Sequence, residues 1–200
     1  MSFKHWRIYR ITLEYGWEAS GTFDDVSIAE VKLNGLAVRM GPDNGTHRYT
    51  ISVAKTMLAA AKAADDVISE NATTGTDWDF DFGGTGYITS AVITHDATLT
   101  DRVRLFLFSQ PPTSETDDNV ANTSPLTADQ GFFLGTIDFP AFQSQGTGDA
   151  FTVATPSTTG NLPLAFDANT IYGVLVMRDA TATFTATALT ISLTADMEDN

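Results

Sequence analysis

A chain of 200 residues carries 25 Asp and Glu against 11 Lys and Arg, a net charge of −14, with 42% apolar residues and no cysteine. The apolar share supports a sizeable core in one domain, or in one domain with a short appendage. The missing cysteine excludes disulfides, thiolate metal sites and cysteine catalysis, and the acidic balance argues against nucleic acid or an anionic membrane as partner, since both are bound through basic patches. No apolar run reaches about 18 residues, so no spanning helix is expected. Residues 1–7 lack the apolar stretch of a secretory signal.

About 30 threonines, with 13 Phe, bias the chain toward β structure. Apolar segments of strand length are punctuated by Gly, Pro, Asn and Asp, the rhythm of a β-sandwich or barrel. Residues 6–15 place Tyr9, Ile11, Leu13 and Tyr15 on one face and Arg10, Thr12 and Glu14 on the other. A loop at 21–25 precedes a strand over 26–33, a tight turn at Asn34-Gly35, and a short return strand over 36–40. Gly41-Pro42-Asp43-Asn44-Gly45 is the best linker in the chain. It separates an N-terminal β extension, residues 1–44, from a sandwich over 45–196 and an acidic tail, 197–200.

Past the linker, residues 47–54 alternate cleanly. Residues 55–64 have the strongest helical propensity in the chain and read as a short helix or an extended segment. Trp78, Phe80 and Phe82 alternate with Asp77, Asp79 and Asp81 at strand period. Gly83-Gly84-Thr85-Gly86 reads as a turn to the next strand, 87–94. Residues 103–108 are apolar on both faces and predict a central strand covered on both sides. The polar stretch 111–130 predicts a long loop of the kind that is functional or mobile. Strands follow at 132–139, 150–154 and 171–177. In 181–194 the apolar parity changes from Ala182, Phe184 and Ala186 to Leu189, Ile191 and Leu193, which predicts a β-bulge near 187–188. Residues 195–200 are expected to fray.

Sequence motifs for chemistry are sparse. His5, His47 and His95 show no metal-ligand spacing, and neither a Gly-x-Ser-x-Gly elbow nor a Walker A pattern is present. No catalytic residue, cofactor site or metal site is assigned. The acidic doublets Asp24-Asp25, Asp65-Asp66 and Asp117-Asp118, and the Asp77/Asp79/Asp81 ladder, could serve calcium binding or glycoside hydrolysis. A solvated acidic face is favoured over both, and the ladder would guard a strand lying at a sheet edge. Three Asn-x-Ser/Thr sequons, at Asn44, Asn71 and Asn122, read as chance in a Thr-rich chain. Trp6, Tyr9, Tyr15 and Trp17 could form a sugar-stacking platform, an anchor on a partner, or core packing, with the last two preferred.

Several runs together resemble tailed-phage structural proteins of the capsid decoration, or cement, type: Gly86-Tyr87-Ile88-Thr89-Ser90-Ala91-Val92-Ile93-Thr94, Val103-Arg104-Leu105-Phe106-Leu107-Phe108, Gln110-Pro111-Pro112-Thr113, Asp118-Asn119, Leu134-Gly135-Thr136-Ile137-Asp138-Phe139 and Ile171-Tyr172-Gly173-Val174-Leu175-Val176. The resemblance covers roughly residues 47–195. Trp6-Arg7-Ile8 and Val26-Ser27-Ile28-Ala29-Glu30-Val31 are similar to the opening of discoidin-like domains. The resemblance implies an antiparallel jelly-roll sandwich without catalytic residues, outside a phage capsid, partnered by the major capsid protein and by copies of itself as a dimer or trimer. It makes Trp6, Tyr9, Tyr15, Trp17, Asp117 and Asp118 candidate contacts with the shell or a sister subunit. A tail-associated or host-recognition glycan-binding module is the alternative.

Overall fold

A computed structural model describes residues 31–33, 36–38, 47–146, 148–157, 161–179, 182–183 and 185–197. The chain divides into two compact units, Met1–Gly45 and Thr46–Asn200. In the first, β1 (Val31–Leu33) pairs antiparallel with β2 (Leu36–Val38), Leu33 opposite Leu36. The strand expected over 6–15, the linker at 41–45, and Trp6, Tyr9, Tyr15 and Trp17 lie outside the described residues.

The second unit is built on one antiparallel sheet of eight strands packed on itself. They are β3 (His47–Thr56), β5 (Trp78–His95), β6 (Val103–Phe108), β7 (Phe133–Asp138), β8 (Gln143–Ser144), β9 (Ala150–Ala154), β10 (Leu164–Met177) and β12 (Ala188–Met197). Two short strands, β4 (Ala61–Lys62) and β11 (Ala182–Thr183), pair separately. Strand β5 belongs to both layers. Its first part, from Trp78, pairs with β10, and its second part, to His95, pairs with β12 on one edge and β9 on the other. One layer therefore runs β3-β12-β5-β9, with the two-residue β8 added at the edge of β9, and the other runs β5-β10-β6-β7. Two interleaved four-stranded sheets of this order make a jelly roll, with its second and third strands fused into β5.

Between the layers lies a core that includes Trp78, Phe80, Ile93, Leu105, Ile171 and, on β12, Leu189, Ile191 and Leu193, each at most 1% exposed. Inward and outward residues alternate strictly along β12, from buried Leu189 to buried Met197. The outer face of the β10-β6 layer carries a second apolar group. Phe106, Phe108, Val174 and Val176 are buried there together with Val67, and half-buried Phe132, Phe133 and Tyr172 pack against them. Strand β6 is thus apolar on both faces because both are covered, as its sequence predicts.

Three expectations are corrected and one left open is decided. Gly83–Gly86 is no turn: β5 runs straight through it. The glycines mark the place where the strand passes from one layer to the other. Gly83 has φ +72°, and a Cβ on Gly86 would meet the Asp196 carbonyl oxygen at 2.5 Å. A register shift near Thr89 then moves the buried parity from Ile88 to Ala91 and Ile93. Of the two forms expected for residues 55–64 the extended one is found: β3 continues to Thr56 and β4 follows, so pairing with β12 and β11 outweighs the helical propensity of the alanines. No bulge joins 181–194 into one strand: β11 leaves to pair with β4, β12 begins at Ala188, and Ala186 is exposed. Residues 195–197 do not fray, since Ala195 and Met197 are buried on β12 against β3 and β5.

Candidate functional site

The long stretch 111–130 is tied down by carboxylates. Asp118 is 3% exposed and receives Lys62 Nζ at 2.6 and 2.7 Å and the Ser69 amide at 2.9 Å. This removes Asp118 from the candidate contact surface: its charge is taken up in a buried pair, which a partner could reach only by breaking it. Asp117 is half-buried and accepts the Gly75 amide at 2.9 Å. Asp129, in a 3-10 turn at Thr127–Asp129, is fully buried. Burial alone would raise its carboxyl, but the hydroxyls of Ser114 and Thr113, and then their amides, hold it below the usual range. Of the two expectations for this loop, mobility gives way to bracing, and the solvated reading of the acidic doublets fails at Asp118.

A second hub sits at Lys55. Its Nζ donates to the carbonyls of Thr76 and Asp77, each at 2.8 Å, and to Glu70 at 3.2 Å, and lies 5.2 Å from the centre of the Trp78 ring. Among the described residues β5 pairs only with β10 over Trp78–Asp81, so Lys55 caps carbonyls where a local sheet edge begins. Asp79 and Asp81 point outward from the same stretch. The Asp77 carboxyl is raised by burial and by neighbouring Asp79. Of the other acidic doublets, Asp65 pairs with Arg178 at 2.8 Å and Asp66 accepts the Ala63 amide at 2.7 Å. Asp24 and Asp25 lie outside the described residues, as does His5. Among the described residues no group of three or more His, Cys, Asp or Glu is placed to hold a metal ion, and no helix is long and apolar enough to cross a membrane.

His95 is buried at the end of β5. Its Nδ1 lies 3.0 Å from the Ala97 carbonyl and its Nε2 3.1 Å from the Thr187 hydroxyl. The carbonyl requires a proton on Nδ1, so in the neutral ring Nε2 accepts from Thr187. Burial lowers its pKa, against the opposing pull of the Ala97 carbonyl and Asp96.

Two surface features stand out. The first is the outer face of the β3-β12-β5-β9 layer. Thr50 meets Thr194 at 2.8 Å and Ser52 meets Ser192 at 2.7 Å, and the rows continue through Ser90 and Val92 on β5 to Val153 on β9. Charge enters these rows at one end, where Arg48 donates to Asp196 at 2.9 Å. The second is an open groove of about 480 Å³ beside Tyr87, which is 45% exposed. No sequence motif singles out Tyr87, although its place between inward Gly86 and Ile88 marks it as an outward aromatic. No protein-family model matches the chain, and no curated protein matches it.

Proposed function

We propose that this chain is a virion structural protein that binds the outside of a phage capsid as a decoration, or cement, protein and reinforces the shell. The observation that carries the reading is the hydroxyl-lined outer face of the β3-β12-β5-β9 layer. In a chain of net charge −14, this face offers short, mostly neutral side chains on a rigid sheet. Interface centres are depleted of charge in the same way. The resemblance of roughly residues 47–195 to decoration proteins supports the assignment. Docked copies joined as a dimer or trimer would bind several capsid subunits at once and gain avidity from modest single contacts.

Quantitative mass spectrometry of purified virions tests the proposal. A copy number of the same order as the major capsid protein is expected, and Thr50→Lys with Ser192→Lys should deplete the protein from particles without lowering its melting temperature. Absence from virions overturns it. A much smaller copy number favours the second reading, a tail-associated or host-recognition glycan-binding module, to which the groove beside Tyr87 lends support.

A further inference from the structure

The geometry points to the groove beside Tyr87 as a binding site for a neutral saccharide. Its walls come from three strands: Thr85 and Tyr87 on β5, Leu134 on β7, and Ala165, Phe166 and Asp167 on β10. The registers bring these residues together, with Thr85 opposite Asp167 and Tyr87 opposite Ala165. Phe166 is buried and forms part of the floor, while Tyr87 and Asp167 stand exposed. The volume of about 480 Å³ lies within the range of small-ligand sites and exceeds the needs of one sugar ring.

The chemistry is divided as a sugar is divided. A pyranose has an apolar C–H face and a rim of hydroxyls that donate hydrogen bonds. An exposed aromatic ring receives the first, and an acceptor-only carboxylate beside a hydroxyl receives the second. Tyr87, Asp167 and Thr85 supply these three groups. The carboxylate across from Tyr87 on β12, Asp196, is already engaged by Arg48, so the groove presents one available acid rather than a cluster. A cation would gain most from an enclosed, desolvated site, whereas this groove is open and mainly lined by neutral side chains.

The proposal concerns a ligand of the isolated protein and stands apart from capsid docking, so either can fail alone. Saturation-transfer NMR on the full chain, with cellotriose, maltotriose, N-acetylchitotriose and a lysine amide as probes, tests it. Transfer to at least one trisaccharide is expected. Tyr87→Phe should keep the binding, Tyr87→Ala should weaken it roughly tenfold or more, and Asp167→Asn should weaken it by a similar factor. Both side chains are exposed, so the variants should melt with the parent. No transfer to any trisaccharide, binding unchanged in Tyr87→Ala, or transfer to the lysine amide alone would each overturn the proposal.

Discussion

Lys62 and Asp118 show how a residue's role changes once its surroundings are known. In the sequence Asp118 is half of an acidic doublet in a polar stretch; in the fold it is one end of a buried pair. Removing one partner leaves the other charged and buried, so Asp118→Ala should cost about 3–5 kcal/mol in denaturant melts. The double change Lys62→Met with Asp118→Leu should cost less. His95 gives a pH-dependent counterpart. Its folded pKa lies below the ordinary value of 6.5. Above that value the neutral ring contributes its full stability. As the pH falls below it, the unfolded chain takes up a proton that the buried ring refuses, and stability is lost toward the folded pKa. Thermal melts from about pH 7.5 down to about pH 5 should show this loss, and His95→Asn should flatten it. Neither role is legible in the sequence, because burial of a polar side chain is decided by segments far away along the chain.

At the scale of elements, alternation is the dependable guide. Strands β6 and β9 lie where periodicity places them, and the two-faced apolar pattern of β6 matches its two covers. Phe106→Ala and Leu107→Ala probe the two sides of that strand and should each cost about 3–5 kcal/mol; a loss below about 1 kcal/mol would show an uncovered face. The glycine run of β5 reads as a turn because a turn and a layer-crossing kink use the same residue for the same reason, backbone freedom without a side chain. Gly86→Ala separates them. In an open turn it would be tolerated, whereas against the Asp196 carbonyl it should destabilise the sandwich and lower its melting temperature. The parity change in 181–194 is legible, but its cause is a pairing with β4 that only the folded chain reveals.

For the whole molecule, the all-β class follows from composition and rhythm; the jelly-roll order and the fusion of two strands into β5 are visible in neither. The division at Gly45 supports a further expectation: residues 46–200 expressed alone should melt cooperatively, and loss of that transition would show that the first unit is needed for folding. The pairing of β3 with β12 has its own consequence. His47 and Met197, the first and last residues of the sandwich strands, are register partners on adjacent strands. Entry and exit of the chain therefore lie side by side, close enough for a short Gly-Ser bridge to join them. A load pulling these two points apart would peel β3 from β12 one hydrogen bond at a time. A load between His47 and Ala188, at opposite ends of the same pair, would run along the strands and strain the whole ladder together. The point of attachment, rather than the number of bonds, thus controls how much force this edge of the sandwich withstands.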